Sequence, residues 1–502
     1  MIDTNLQITE EINTGSIRNV NSNDIIPYFE DDKNRHLQLK YDLNSSLVIF
    51  INPKSGNKEG EIILEIASKY KTKEGYKLID FSKIEKNETI LERKYEFIMS
   101  IYFNIIIAEE LNKGIECIRE YIKSIKHGEV VKILIAGGDG SVLSIIQNLK
   151  NKNIDINKCI FGHIPLGTGN DLSNALGFNN HINISNNINS LYKILLKYHK
   201  AMSGKVDIWK MELKLDDNNG EIIENSKEGK KILKVTYLNK SFINYLSLGY
   251  DARVGFNFDK KRTTNRCCNK LVYFWEGLKK NCCRKTLSVD GFLESFSIYE
   301  DTEQSFNEQT FTSQIEEEDN LKIKFKFKPK NELSKIENGK KCFILKGQPC
   351  SIICQNINFY MAGVNNIWKN SKNNLAIDII ENDKNKKEEL LKKIKKMINA
   401  EQKIDDRKLE FFTYDNGFET GIEKIFGGMA KKLYHGCGPV LIKFKDISII
   451  NNDDKKDRIY LNIDGEYFNI VKPIYMKIYL DKSLCNGQLP FLFNISYEKK
   501  KK

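Results

Sequence analysis

The chain has 502 residues, which at about 150 per domain suggests roughly three domains or two larger ones. Apolar residues make up 40% and charged residues 29%, a globular composition that excludes a fibrous protein and disorder along the whole length. The net charge of +12, from 79 Lys and Arg against 67 Asp and Glu, suits an anionic partner such as a nucleotide, an acidic membrane surface or nucleic acid.

Residues 1–44 are polar and aperiodic and read as a flexible N-terminal arm. This stretch has no basic n-region and no apolar h-region, so it is not a secretory signal and a cytoplasmic chain is expected. From Leu47 to Ile51 a continuous apolar run, bounded by Asn52-Pro53, predicts a strand buried on both faces. Ile62, Ile63, Ile66 and Tyr70 recur at helical spacing, and Tyr76 to Ile79 predicts a short strand. The apolar stretch Phe97 to Ala108 is shorter than the roughly 18 residues a membrane-spanning helix needs, so it reads as a buried core element. A helical stripe through Leu111, Ile115, Ile118 and Ile122 follows. Val130–Ala136 and Cys159–Ile164 are strand-like, with helical spacing between them at Val142, Leu143, Ile146 and Leu149. Strands alternating with helices predict a parallel sheet covered by helices, placed at residues 45–200.

Past residue 200 the rhythm becomes two-residue alternation. It appears at Ile208–Leu215, Leu321–Phe327, Ser351–Tyr360, Leu409–Tyr414, Val440–Phe444 and Ile459–Ile463. A mainly antiparallel β domain over 201–490 is expected, with a hairpin at Asp216–Gly220 and polar insertions near 300–320 and 370–407. Within the second insertion, Lys384–Lys396 mixes basic residues with Leu390, Leu391, Ile394 and the adjoining Met397 and reads as a solvated surface helix, the alternative being a helix that lies on an anionic membrane. Residues 491–502 read as a basic C-terminal tail. The eleven Cys are scattered, and the adjacent pairs Cys267-Cys268 and Cys282-Cys283 are poorly spaced for one tetrahedral zinc; they read as reduced thiols. No zinc-finger spacing or aromatic-basic signature supports nucleic acid as a partner.

Three glycine-rich turns follow three of the buried strands. They are Asn52-Pro53-Lys54-Ser55-Gly56, Gly137-Gly138-Asp139-Gly140-Ser141 and Gly167-Thr168-Gly169-Asn170-Asp171, the last preceded by Pro165-Leu166. In an open parallel sheet ligands bind at the carboxyl ends of the strands, so all three fall on one edge. Glycine admits close backbone approach and an anion nest, the helix starting near Ser141 adds its positive end, and Lys54 adds a cation. The chemistry is phosphate binding. The first turn lacks the Walker A order, and the second lacks the dinucleotide order. His163, just before the third turn, reads as a core or strand-edge histidine, and His435, beside Gly436 and Gly438, as a loop residue.

As an ordered set these turns resemble the signature turns of the diacylglycerol kinase catalytic domain. Downstream, Val206-Asp207-Ile208-Trp209 resembles that family's Leu-Asp-Arg-Trp, with Ile208 in place of Arg. Asn244 to Ala252, Lys270 to Phe274, Asn356 to Trp368 and Ile463-Asp464-Gly465-Glu466 resemble its later motifs, although Ala362 and Val364 depart from them. The resemblance covers about residues 46–480. It implies an α/β nucleotide-binding domain like that of NAD kinases and diacylglycerol kinases, followed by a mainly antiparallel β-sandwich accessory domain.

It also implies ATP- and Mg²⁺-dependent phosphorylation of membrane diacylglycerol to phosphatidic acid by a cytoplasmic, peripherally membrane-associated kinase, an anionic membrane surface being a further partner. Asn52, Lys54, Ser55, Gly56, Gly137, Gly138, Asp139, Gly140, Ser141, Gly167, Thr168, Gly169, Asn170 and Asp171 would hold the nucleotide. Asp139, Asp464 and Glu466 are the catalytic candidates, and Asp139 and Asp464 the metal contacts. Asp464 and Glu466, two apart, would share one face of a strand. Asp207 and Asp251 read either as a second carboxylate cluster or as buried hydrogen-bonded acids. Asp139→Ala is expected to abolish transfer without changing fold stability. The rival readings are a kinase of the same fold acting on a sphingoid base or ceramide, and a non-catalytic lipid- or nucleotide-binding scaffold.

Overall fold

The computed structural model describes residues 47–55, 59–69, 78–79, 100–104, 107–179, 182, 184–185, 188–226, 229–261, 272, 275–277, 288–299, 321–326, 342–345, 347–360, 364–371, 375–380, 383–446 and 459–494. The N-terminal arm, Gly56, the 300–320 insertion, both Cys pairs and the terminal lysines lie outside them.

The first sheet is built from β1 (Leu47–Ile51), β2 (Leu78–Ile79), β3 (Ser100–Asn104), β4 (Val131–Gly137), β5 (Cys159–Pro165), β6 (Met202–Asp207) and the C-terminal strand Gln488–Phe493, in the order β2-β3-β1-β4-β5-C-terminal strand-β6. Strands β3, β1, β4 and β5 run parallel. The 97–108 stretch thus supplies a sheet strand. Helices α1 (Glu59–Lys69), α2 (Ala108–Ser124), α3 (Asp139–Asn151), α4 (Asp171–Ala175) and α5 (Ile188–His199) complete this part. All residues of β1, β4 and β5 are buried, as their largely apolar runs require, and Lys132 of β4 and His163 of β5 are buried with them.

Residues 491–493, expected in a basic tail, are sheet strand. The C-terminal strand lies between β5, which it meets in parallel, and β6, which it meets antiparallel, joining Phe491 to Phe161 and Gln488 to Asp207. Its Leu489, Phe491 and Leu492 are buried in the first core. The first sheet therefore takes strands from both ends of the expected accessory region.

Most of the rest forms two eight-stranded, mostly antiparallel sheets that share one core, beside a small two-stranded ribbon of Phe359–Tyr360 and Val364–Asn365. Trp209, Met211 and Phe296 enter it from one sheet, Leu246, Ile353 and Phe411 from the other. Phe296 and Phe411 meet edge to face at 5.2 Å. Strand Trp209–Leu215 alternates buried and half-buried residues, matching its sequence pattern. The Asp216–Gly220 cluster forms a turn in which the Asp216 carboxylate accepts from the backbone N–H groups of Asn218 (3.1 Å) and Asn219 (2.8 Å). It does not make a hairpin: Trp209–Leu215 and Glu221–Ser226 lie in different sheets, so the turn carries the chain from one layer to the other. Four further helices matter below: α6 (Tyr250–Asp259), α7 (Ile367–Asn370), α8 (Lys384–Ile398) and α9 (Gly417–Phe426).

The two parts join around Asn356. Its buried Nδ2 donates to the carbonyls of Asp207 (2.9 Å) and Ile243 (2.6 Å), and its Oδ1 accepts from Trp209 Nε1 (3.0 Å). Asn356→Ala strands all three partners, each worth about 1–3 kcal/mol when left unmade. We expect a total loss of at least about 3 kcal/mol, read as a lowered Tm; an unchanged melting curve would refute this role for Asn356.

Candidate active site

The three turns close on one another at the carboxyl ends of the adjacent strands β1, β4 and β5. Asn52 knits the first to the second. Its backbone N–H donates to Ala136 O (2.8 Å), its Nδ2 to Ser141 Oγ (3.3 Å), and its Oδ1 accepts from the Lys54 N–H (3.1 Å). Lys54 itself is exposed at the rim. The Gly137 carbonyl accepts from Leu166 N (2.9 Å) and Gly167 N (3.2 Å), tying the second turn to the third. Asn170 adopts a left-handed conformation (φ 54), and its side-chain amide exchanges two 2.8 Å hydrogen bonds with Gly167. A side chain at 167 has no room: its Cβ would lie 2.6 Å from Gly138 Cα and 2.8 Å from Asn170 Oδ1.

Asp139 opens α3 and reaches across to the start of α4, accepting from the backbone N–H groups of Asp171 (3.2 Å) and Leu172 (3.1 Å). Beneath it lies His163, fully buried, with Nε2 3.1 Å from Gly137 O and Nδ1 3.7 Å from Asp139 Oδ1. Burial pushes the imidazole below its ordinary range, and the Asp139 charge opposes this. The expected core position for His163 is therefore the floor of the turns.

Opposite stands the accessory part. Tyr245, on strand Tyr245–Gly249, donates its hydroxyl to Asp171 Oδ2 (3.2 Å). Burial, and then the charge of Asp171, push its phenol well above the usual range; Asp139 and Asp464 add to this. Asp464 and Gly465, with φ of 47 and 84, form the two-residue turn of the hairpin pairing Ile463 with Glu466. That turn aims the Asp464 carboxylate at three backbone N–H groups, those of Ile243 (2.7 Å), Asn244 (2.9 Å) and Tyr245 (3.0 Å). Desolvation raises its pKa to about 7 against those three donors, with the Asp139 charge contributing.

Asp139, Asp171, Asp464 and Tyr245 thus gather into one polar cluster. Glu466 does not join them. The hairpin turn breaks the strand register that would have put it on the face of Asp464; its side chain is 55% exposed and pairs with Lys240. Asp207 and Asp251 are buried hydrogen-bonded acids. Asp207 accepts from Gln488 Nε2 (2.8 Å) and the Arg407 N–H, and burial raises it to about 8. Asp251 accepts from the hydroxyls of Ser247 and Tyr360 and is raised by burial to about 6. His435, expected in a loop, is buried on strand Lys431–Gly436 with Nδ1 3.0 Å from Glu410.

Two residues escaped sequence reasoning. Tyr245 was legible only as a member of the Asn244–Ala252 motif, since nothing local says that its hydroxyl faces Asp171. Tyr360 packs edge to face on Tyr245 at 4.6 Å and ties it to Asp251.

The family model described as the diacylglycerol kinase catalytic domain matches residues 46–203, and the diacylglycerol kinase accessory domain matches residues 241–467. Diacylglycerol kinase 7 of Arabidopsis thaliana is 27% identical over 259 residues, covering 46% of this chain and 48% of that protein. Diacylglycerol kinase 3 of the same plant is 28% identical over 257 residues, with the same shares. The chain therefore aligns with about half the length of these relatives. Among solved structures, yeast NADH kinase complexed with NADH superposes with a TM-score of 0.33 at 7% identity, covering 92% of this chain and 88% of that one.

Proposed function

Because this chain belongs to the diacylglycerol kinase family, we propose that it transfers the γ-phosphoryl group of ATP to the free hydroxyl of diacylglycerol, giving phosphatidic acid and ADP. One observation carries this reading. The three turns converge at one sheet edge, and the acid of the second turn, Asp139, sits with Asp171 beside the Tyr245 hydroxyl and Asp464 of the facing part. Phosphoryl transfer asks for positioning and charge neutralisation more than covalent chemistry. Backbone N–H groups of the turns, the amino end of α3 and Lys54 would grip the triphosphate.

Magnesium fits this site as an ion arriving on the nucleotide. Among the described residues no group of three or more His, Cys, Asp or Glu side chains could hold a metal. Both oxygens of Asp139 and of Asp464 already accept from backbone N–H groups. Asp139 would touch the ion, phosphate oxygens filling most of its shell, and the ion would neutralise charge on the transferring group.

The acceptor hydroxyl must lose its proton to a carboxylate. We assign that role to the Asp139–Asp464 side of the cleft, not to Glu466. A base works deprotonated, so kcat/KM should rise as pH passes about 7, the value to which burial lifts Asp464. Asp464→Asn should erase that midpoint and Glu466→Gln should keep it; the reverse would move the proton acceptor to Glu466. The activity itself is tested with labelled ATP against diacylglycerol, sphingosine and ceramide in mixed micelles. Diacylglycerol should be the labelled acceptor; labelling of another lipid alone, or of none, would refute the reading. We place the protein in the cytoplasm, acting peripherally on membrane lipid.

A further inference from the structure

Helix α9 is built inside out. Its polar residues Thr420 and Glu423 are buried, whereas Phe418, Ile422 and Phe426 are 57%, 39% and 79% exposed. The three lie four residues apart, so they form one stripe about 12 Å long on a single helix face. An ordinary surface helix turns its apolar stripe to the core. Here the opposite orientation is locked. The Glu423 carboxylate accepts from the backbone N–H groups of Gly428 (3.1 Å), Met429 (2.7 Å) and Ala430 (3.0 Å). Asn416 caps the helix by accepting from the Glu419 N–H (3.0 Å). Rotating α9 to hide its phenylalanines would strip these bonds.

Close by lies a strongly basic helix. Helix α8 carries seven lysines against two glutamates in fifteen residues. It buries Ile394 and Ile398 in the core and leaves Lys387, Lys392, Lys393, Lys395 and Lys396 exposed. Both helices end at α7. Trp368 Nε1 of α7 donates to Ala400 O just past α8 (2.9 Å), and Gly427, just past α9, abuts Asn370 of α7, where an added Cβ would lie 3.3 Å from its Nδ2.

We propose that the α9 stripe is the surface by which this chain enters an anionic membrane, with α8 supplying the attraction to acidic headgroups. The proposal extends the lipid-kinase reading by naming the face that meets the bilayer. Two observations favour a bilayer over a second protein. Three side chains on a ten-residue helix fall far short of the roughly 1,200–2,000 Å² that a stable protein interface buries. Exposed aromatic residues near a lysine-rich face are the chemistry of interfacial helices, and that lysine charge complements anionic lipid.

The test is co-sedimentation of the full chain with phosphatidylcholine vesicles, with and without phosphatidylserine. Binding needs no turnover, so its outcome is separate from whether diacylglycerol is phosphorylated. The chain should prefer the anionic vesicles. The double variant Phe418→Ser/Phe426→Ser should bind them about tenfold less, and Lys392→Gln/Lys393→Gln/Lys395→Gln/Lys396→Gln should lose the preference. Since the replaced side chains are exposed, both variants should melt like the parent. Undiminished vesicle binding by the phenylalanine variant would overturn the proposal. So would a parent dimer in solution that this variant dissociates, which would show that the stripe meets another copy of the chain.

Discussion

Asp139→Asn should lower phosphatidic acid formation by about 10²–10⁴-fold, the range lost when a positioned carboxylate leaves a proton-transfer or charge-stabilising role. The choice of asparagine follows from the geometry. The expectation that alanine would leave the fold untouched does not hold, because the Asp139 carboxylate accepts the Asp171 and Leu172 N–H groups and faces the buried His163. Alanine would orphan two amides at the start of α4, at about 1–3 kcal/mol each, and inactivity would then have two explanations. Asparagine removes the charge and keeps one acceptor oxygen, so it orphans one of the two amides instead of both. Its kcat should collapse while its melting temperature moves by a few degrees at most. Turnover close to the parent's would remove Asp139 from the chemistry.

Gly167→Val should weaken ATP binding by roughly tenfold to a hundredfold, since overpacking costs about 1–3 kcal/mol and each 1.4 kcal/mol is tenfold. Glycine is needed here because two turns touch through backbone: the new Cβ would meet Gly138 Cα at 2.6 Å and Asn170 Oδ1 at 2.8 Å. The first is backbone and the second is the end of a side chain held by two hydrogen bonds to residue 167 itself, so the second and third turns must part. Parting them also moves α4, and with it Asp171 and its bond to Tyr245. Calorimetric titration with a non-hydrolysable ATP analogue reads the effect directly. Binding at the parent's affinity would show that the contact between the turns is not what shapes the nucleotide site.

Local pattern carried the nucleotide half of the site. Leu47–Ile51, Val131–Gly137 and Cys159–Pro165 are apolar but for Lys132 and His163 because they are buried on both faces, and in the second and third turns glycine stands where backbone approaches backbone. The facing half was less legible. Asp464 and Glu466 looked alike as neighbours on a strand, but the φ values of 47 and 84 at Asp464 and Gly465 turn one carboxylate inward and leave the other by Lys240. Tyr245 belongs to the site through a contact to Asp171 that spans 74 residues of sequence, beyond the reach of any periodicity. The C-terminal strand was missed for the same reason: Gln488–Phe493 pairs with strands made far earlier in the chain.

That pairing sets the timetable of biosynthesis. As the polypeptide leaves the ribosome, β5 and β6 emerge without the strand that separates them; Asp207 and Gln488 are 281 residues apart. At about 5–20 residues per second, the gap stays open for roughly 15–60 seconds. During that wait the newborn nucleotide half displays two unpaired backbone ribbons, each a template for misassembly, and a chaperone that shields them would act on this half first.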